Sequence, residues 1–240
     1  MLNWKDTMTS YKDLNITGLS NPNELNQDFC LLPDKFMDFH HPDIQSKVQE
    51  LTNGLRDPWD KAVAVFQFVR DEIIYDFAPK ISGPENWKAS VILNKGRGFC
   101  HQKSILQSAL YRAVGIPSAF TYQDVIDQPL MDTRYKELFQ DGILYYHGLS
   151  VIFYNQKWIR QDATLDQGLC HRRGYRVGVV REGMETILPV TTLAGSSHFK
   201  IQKDHGYFES FDFRFSEYIL SNLPKWNEWR SFVKNEHLTM

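Results

Sequence analysis

The sequence has 240 residues, of which 42% are apolar and 14% aromatic, and its formal net charge is -2 at pH 7. A chain of this length and composition can bury a sizeable core, so a globular protein is expected. The small net charge and the lack of a Lys/Arg run argue against binding to nucleic acid or to an anionic membrane, because both need basic patches. The N-terminus lacks signal-peptide features and no stretch approaches the roughly 18 apolar residues of a membrane span, so a cytoplasmic location is expected.

Three parts are predicted along the chain, and they are expected to form one compact domain. Residues 1–55 begin with a polar arm that lacks a regular period and end in a short helix. Residues 56–215 form the predicted catalytic core. Residues 216–240 form a C-terminal helical extension, which Pro224 interrupts.

A helix is predicted from Pro58 to about Ile74, because Asp57 is a favourable N-cap and proline suits the first helical position. Residues 75–87 contain two prolines and a glycine, and they predict a loop. A short helix from Ala89 to Leu93 is expected to follow.

The next helix is predicted to begin near Cys100 and to end at Gly115, since glycine favours the C-terminal cap and Pro117 cannot continue the helix. Its predicted buried stripe is formed by Ile105, Leu106, Ala109, Leu110, Ala113 and Val114. A cysteine at a helix N-terminus faces unpaired backbone N–H groups and the positive end of the helix dipole, which favour a nucleophilic thiolate. By position alone, Cys100 is equally consistent with a small apolar core residue.

A strand is predicted from Ser118 to Tyr122, followed by a polar insert at residues 123–142 that contains a small helix from Thr133 to Phe139. Loops of this length in a compact domain tend to be functional or mobile. The insert is therefore interpreted either as a lid over a site or as a simple surface insertion.

Two strands of a hairpin are predicted at residues 145–154 and 157–164, on either side of Asn155-Gln156. With a loop of two or four residues, the pairing places Asp162 diagonal to His147 on the same face of the sheet. A hydrogen bond between the two side chains is then within reach. A loop of odd length would place them on opposite faces.

The C-terminal half offers a weaker pattern. Residues 170–173 predict a polar turn or a short helix, and residues 174–193 predict short strands.

Other side chains of this half offer alternatives for chemistry. Cys170, His171 and His198 would together suggest a zinc hydrolase, but their spacing is poor for a zinc site. His198, Asp204 and His205 are alternative acid–base residues. No metal site and no cofactor are predicted.

Cys100, His147 and Asp162 supply the three roles of cysteine acyl-transfer chemistry: a nucleophile, a proton carrier and a group that orients the imidazole. Their order, together with four motifs, resembles the transglutaminase-like superfamily from Trp59 to Asp166. The motifs are Gly98-Phe99-Cys100, the helix exit Ala113-Val114-Gly115-Ile116-Pro117, Tyr146-His147-Gly148, and Trp158-Ile159 followed by Asp162-Ala163-Thr164.

The resemblance implies an α+β, papain-like (transglutaminase-like) cysteine-proteinase fold, with N-terminal helices packed on an antiparallel sheet. It also implies thiol-dependent acyl transfer on an amide or isopeptide bond, as a transferase, amidase or peptidase acting on a peptide, amide or amine substrate. A non-catalytic binding module on the same fold is the alternative. The residues after the cysteine depart from the family pattern, and we expect His101 and Lys103 to favour the thiolate electrostatically.

The oxyanion of the tetrahedral intermediate is expected to be held by the backbone N–H of Cys100 and by one side-chain donor. Trp87 is the first candidate because its indole N–H can only donate, and Gln102 is the weaker one because it projects from the helix. Tyr146 is predicted to contribute to an aromatic substrate approach.

Overall fold

The computed structural model describes residues 17–81, 83–132, 136 and 142–213. Its helices are α1 (Pro42–Thr52), α2 (Pro58–Asp71), α3 (Ala89–Lys95), α4 (Cys100–Ala113), α5 (Gln128–Met131) and α6 (Gln167–Arg173). Its strands are β1 (Ile74–Tyr75), β2 (Arg97–Gly98), β3 (Ser118–Asp127), β4 (Leu144–Tyr154), β5 (Lys157–Gln161) and β6 (Phe199–Phe208). Short 3-10 turns occur at Pro22–Glu24, Phe29–Leu31 and Pro84–Trp87.

The predicted α+β class is confirmed. Helices α1, α2 and α3 pack around α4, and α4 packs against β3 and β4 of a four-stranded antiparallel sheet. The strands of this sheet follow the order β5-β4-β3-β6. One large hydrophobic core joins the helices to the sheet.

The N-terminal helices begin where the sequence predicts. The Asp57 carboxylate accepts hydrogen bonds from the backbone N–H groups of Trp59 and Asp60, so it caps α2. The helix ends at Asp71 rather than at Ile74, because the chain there enters the short parallel ladder that pairs β1 with β2. This ladder places Tyr75 beside Gly98, just ahead of the cysteine helix.

Helix α4 is buried on all sides, whereas the sequence predicts a single buried stripe. Every residue from Cys100 to Arg112 is buried, including its polar side chains. These side chains are tolerated because they bind backbone or hydroxyl groups: Lys103 Nζ donates to Ile73 O at 2.6 Å, and Ser108 Oγ donates to Ser150 Oγ at 3.1 Å. The helix is thus the centre of the fold rather than part of its surface.

The hairpin prediction is confirmed. Strands β4 and β5 pair Ser150 with Gln161 and Tyr154 with Lys157, and the turn between them is Asn155-Gln156. Both turn residues have left-handed φ values, 47° and 61°, as a two-residue type I′ turn requires.

The predicted polar insert is wrong over its first part. Strand β3 continues to Asp127 instead of ending at Tyr122, and α5 follows it directly. The sequence conceals this extension because Gln123, Asp124 and Asp127 are polar yet buried. The predicted helix from Thr133 to Phe139 lies outside the described residues, except for residue 136.

The C-terminal half differs most from the prediction. Helix α6 matches the helical alternative for residues 170–173, but residues 174–193 form only isolated bridges, such as Gln161 with Thr186. Strand β6 was not predicted. The helical extension at 216–240 lies outside the described residues, and the division of the chain into three parts stays a prediction.

Candidate active site

Cys100 is the first residue of α4, the helix that packs against β3 and β4. No side chain caps this helix, so the N–H groups of its first turn lie beside the thiol. Gly98 lets the loop pass close to the helix, because a Cβ at this position would lie 2.8 Å from Gln102 Cβ. The cysteine side chain is therefore held at a helix N-terminus with little exposure, at 8%.

His147 and Asp162 meet as the hairpin register predicts. His147 Nε2 lies 2.7 Å from Asp162 Oδ2, and both residues are buried. Asp162 Oδ1 accepts a second hydrogen bond, from the backbone N–H of Thr164 at 3.0 Å. The carboxylate is thereby fixed in position beside the imidazole ring.

The Asp162 carboxylate and the Cys100 thiol both affect the protonation of the His147 imidazole. Burial by itself would lower the pKa of His147, but the charge and hydrogen bond of Asp162, and then the hydrogen bond to Cys100, raise it to about 10. Burial likewise opposes the ionised form of Asp162, yet the His147 charge and the bonds from His147 and Thr164 hold its pKa below 3.8. Since Nε2 faces Asp162, Nδ1 is the ring nitrogen left for the thiol.

The expected cationic support from His101 is wrong, and the Lys103 ammonium is bound by backbone carbonyls. Burial lowers the pKa of His101 to about 4, so the ring is neutral, and its Nε2–H donates to Tyr146 O at 2.5 Å. Burial also lowers the pKa of Lys103 to about 7, and its Nζ donates to the carbonyls of Arg70 and Ile73. Both side chains therefore stabilise the framework around α4 through backbone carbonyls.

Trp87 is also not the oxyanion donor that the sequence suggests. Its single N–H donates to Ile81 O at 3.1 Å, and its ring is packed between Phe99 and Phe211. A donor committed to a backbone carbonyl in the core is not available to a substrate oxygen.

The Gln102 side chain is also not available as the oxyanion donor, because its Nε2–H groups donate to Asn86 O at 2.9 Å and to Lys80 O at 3.4 Å. It holds the loop before α3 against the first turn of α4. That the backbone N–H of Cys100 donates to the oxyanion stays a prediction.

Tyr146 does not line an approach to the thiol. Its side chain is buried, with its ring stacked on His205 at a centroid distance of 4.0 Å. Its backbone has a left-handed φ of 57°, which is uncommon for a residue with a side chain. The predicted role in substrate binding is therefore replaced by a structural one.

Tyr75 is a neighbour of the site that sequence reasoning missed. Burial raises the pKa of its phenol well above 10, as do the charges of Cys100, Asp127 and Asp162, so the hydroxyl keeps its proton and can donate. Its proximity comes from the β1–β2 ladder, which joins residues distant in the sequence. No local pattern signals such a pairing.

A cavity of about 290 Å³ lies on the Asp162 side of the site. Its wall is mostly apolar and includes Phe199, whose ring centroid is 5.3 Å from that of His147. The lining residues are Gln123, Asp162, Ile187, Leu188, Val190, Ser197, Phe199, Lys200 and Ile201.

The family comparison agrees with this geometry. A family model of the transglutaminase-like superfamily matches residues 45–163, a segment that contains Cys100, His147 and Asp162. Over this segment the chain belongs to the transglutaminase-like superfamily. The helix that begins at a cysteine and the hairpin with its histidine and aspartate both lie inside the matched segment of this superfamily member.

Three solved structures resemble the chain at low sequence identity. A "putative cysteine protease" from Cytophaga hutchinsonii is 16% identical with a TM-score of 0.44, and the match covers 78% of this chain and 57% of that one. A "putative protease" from Parabacteroides distasonis is 12% identical with a TM-score of 0.37, covering 58% of this chain and 26% of that one. The periplasmic domain of TgpA from Pseudomonas aeruginosa is 17% identical with a TM-score of 0.41, covering 58% of this chain and 48% of that one.

The chain therefore spans from about a quarter to a little over half of the length of these structures. A search of curated proteins finds no match.

Two further observations concern membranes and metals. Among the described residues, no helix combines the length and the apolar character needed to cross a bilayer. In the same part of the chain, no three His, Cys, Asp or Glu side chains gather as a metal site.

Proposed function

We propose that this superfamily member is a thiol enzyme that transfers the acyl group of an amide or isopeptide bond through Cys100, His147 and Asp162. The observation that carries the proposal is the buried 2.7 Å contact between His147 and Asp162, with the Cys100 thiol at the N-terminus of α4 near enough to raise the pKa of His147. The three side chains are of the types that serve as a nucleophile, a base and an orienting carboxylate. A binding module would have no need for this buried polar arrangement.

The proposed reaction begins with attack of the Cys100 sulfur on the substrate carbonyl carbon, which forms a C–S bond. The carbonyl oxygen becomes an oxyanion, and N–H groups at the start of α4 would stabilise it. The His147 imidazolium then gives its proton to the leaving nitrogen as the C–N bond breaks, which releases an amine and leaves a thioester. Asp162 stabilises the charged imidazole and keeps its ring in the required orientation.

The second half of the reaction returns the enzyme to its starting state. Water or an amine attacks the thioester, and neutral His147 takes the proton of the attacking group. The C–S bond breaks, and the thiolate and the imidazolium are regenerated. Water gives a carboxylic acid and an amine gives a new amide, so one set of residues serves hydrolysis and transfer.

The proposed substrates are peptides, amides and amines, with no cofactor. A cytoplasmic location stays a prediction from the sequence. The binding-module alternative remains an outcome of the experiment that follows.

The proposal is tested with glutamine-containing peptides incubated in H₂¹⁸O, with and without a primary amine, and analysed by mass spectrometry. Turnover should place ¹⁸O or the amine on the peptide, and Cys100→Ser should abolish it. Cys170→Ser is the matched control, because Cys170 is buried in a separate cluster, and it should retain turnover. Turnover that survives in Cys100→Ser, or peptide binding without any turnover, would contradict the proposal, and the latter result would favour the binding module.

A further inference from the structure

The register of β3 shifts once against β4 and twice against β6, and two of these β-bulges lie next to His147 and at His205. Between β3 and β4, Gln123 pairs with His147 but Val125 pairs with Leu144, so Tyr145 and Tyr146 together face the single residue Asp124. A bulge of this kind bends the strand and redirects its side chains.

The second bulge is on the other neighbour of β3. There Thr121 pairs with Tyr207 and Gln123 with Asp204, so His205 and Gly206 together face one residue of β3. Each bulge thus leaves extra residues outside the regular ladder, one beside His147 and one across β3 from it.

Asp124 joins the two bulges through one carboxylate oxygen. Its Oδ1 accepts the backbone N–H of Tyr146 at 3.0 Å and the Nε2–H of His205 at 2.7 Å. The rings of Tyr146 and His205 stack on each other, with a centroid distance of 4.0 Å and an interplanar angle of 27°. All three residues are buried, so the bonds form away from solvent.

The peptide groups of Tyr146 are held at both ends. Asp124 binds its N–H, and neutral His101 donates to its carbonyl oxygen at 2.5 Å. His101 reaches this carbonyl because residue 148 is glycine: a Cβ there would lie 2.5 Å from His101 Cδ2.

Tyr146 is thereby kept at a φ of 57°, a conformation that glycine adopts freely and that other residues resist. Without these contacts, the chain at Tyr146 would relax toward an extended conformation and the bulge would be lost. His147 is the next residue in the chain, so its ring would then lose the direction that the bulge imposes.

We propose that Asp124 and His205 are positioning residues, which hold Tyr146 in its left-handed conformation and thereby aim His147 at both Cys100 and Asp162. This inference rests on the proposed function, because it assigns a purpose to a fixed direction of the His147 ring. The Asp124–His205 pair lies outside the chain of Cys100, His147 and Asp162, and it acts only through the backbone that precedes His147.

The test measures the rate at which iodoacetamide alkylates Cys100 at pH 6, which needs no knowledge of the substrate. A thiolate paired with an imidazolium reacts quickly at this pH, whereas an unpaired thiol reacts only through its small ionised fraction. Asp124→Ala should therefore slow alkylation by about tenfold or more. When Asp124→Ala is made in the Tyr146→Gly background, the factor by which it slows alkylation should be about threefold smaller, because glycine adopts a positive φ without these contacts.

Two further variants keep the experiment decisive. His205→Phe preserves the stacked ring but removes the hydrogen bond to Asp124, so it tests the pair if Asp124→Ala fails to fold. His205→Phe should slow the alkylation of Cys100 less than Asp124→Ala does, and its effect should also be smaller in the Tyr146→Gly background. Asp127→Ala is the matched control, since Asp127 is a buried carboxylate of the same strand that lies near His198 and accepts hydrogen bonds from Leu130 N–H and the Tyr175 hydroxyl. It should leave the alkylation rate unchanged, and circular dichroism verifies that each variant is folded.

The outcomes separate the inference from the proposed function. The positioning role is wrong if Cys100 of Asp124→Ala is alkylated at the wild-type rate. It is also wrong if Asp124→Ala slows alkylation by the same factor with Tyr146 and with Gly at position 146. If His147→Ala leaves the alkylation rate of Cys100 unchanged, the proposed Cys100–His147 pair itself is wrong, whatever Asp124 does.

Discussion

At the scale of single residues, His147 is the group whose environment most affects the chemistry. It is buried near the Asp162 carboxylate and the Cys100 thiol. The Asp162 carboxylate keeps the imidazole protonated to a much higher pH than is usual for histidine. The other two cysteines have the opposite environment, because burial raises the pKa of both the Cys30 and the Cys170 thiols to about 11.

Cys100 should be the first cysteine to react with iodoacetamide at pH 6, because it has a helix N-terminus and an imidazole beside it. Peptide mapping by mass spectrometry identifies the labelled residue. In urea, all three cysteines should react at similar rates, which controls for intrinsic reactivity. Earlier labelling of Cys30 or Cys170 in the folded protein would contradict the assignment of Cys100 as the nucleophile.

Asp162→Asn should lower the pKa of His147 from about 10 toward its usual value of 6.5, because the amide keeps a hydrogen-bond acceptor but removes the negative charge. NMR titration of the His147 ring protons measures this change. Turnover should fall by on the order of 10²- to 10⁴-fold. Asp204→Asn is the control, since Asp204 forms an ion pair with Arg160 at 2.7 Å. It should leave the measured pKa of His147 unchanged.

The same substitution should change how stability depends on pH. A pKa raised on folding stabilises the protein fully below the unfolded value of 6.5, and this contribution is lost as the pH rises through about 10. The wild-type protein should therefore lose unfolding free energy from this group between pH 7 and pH 10, and Asp162→Asn should lose less. Equal losses in urea unfolding at the two pH values would show that His147 and Asp162 are not coupled.

At the scale of elements, the β4–β5 hairpin controls whether His147 and Asp162 share a face. Its turn places Gln156 at a φ of 61°, where a side chain is disfavoured, and its register carries Asp162 to the histidine. The turn therefore determines from a distance which residues of the two strands share a face, through strand pairing.

Gln156→Gly should raise the unfolding free energy by up to about 1 kcal/mol, because the type I′ turn prefers Asn-Gly. Urea unfolding measures the change. Lys157→Gly is the matched control: Lys157 begins β5 with an extended backbone, so a glycine there should destabilise the protein. Equal destabilisation by both substitutions would mean that the left-handed φ of Gln156 carries no strain.

At the scale of the whole molecule, Arg112 connects three distant segments through backbone carbonyls. Its guanidinium donates to the carbonyl oxygens of Leu32 and Glu209, each at 2.5 Å, and to Ser118 O at 2.7 Å. Burial lowers the pKa of Arg112, and its electrostatic interactions with Cys30, Asp34 and Glu209 oppose this shift. The segment before α1, the start of β3 and the chain after β6 are thereby held against the end of α4.

Arg112→Lys should reduce the unfolding free energy by about 2–4 kcal/mol. The guanidinium of arginine donates to carbonyl oxygens in several directions, and the single ammonium group of lysine cannot reach all of them. Thermal and urea unfolding measure the loss. Arg56→Lys, at an exposed position, should change stability little. If Arg112→Lys were equally mild, the three segments would be held by packing rather than by this side chain.

Local rules in the sequence determined the helix starts, the hairpin register and the place of Cys100. An N-cap such as Asp57 acts within one turn, and a two-residue turn between strands of period two determines which side chains share a face. For this reason the meeting of His147 with Asp162 followed from counting residues on either side of Asn155-Gln156.

Only the tertiary structure decided which donors are occupied and which polar residues are buried. The N–H of Trp87 is taken by Ile81, the charge of His101 is removed by burial, and Asp124 draws His205 across a gap of 81 residues to hold Tyr146. Strand β6, which supplies His205, has no clear alternating pattern of its own, because a continuous run of exposed residues follows Phe199. Hydrogen-bond partners and burial depend on residues far apart in the chain, and no spacing rule within a single segment specifies such pairs.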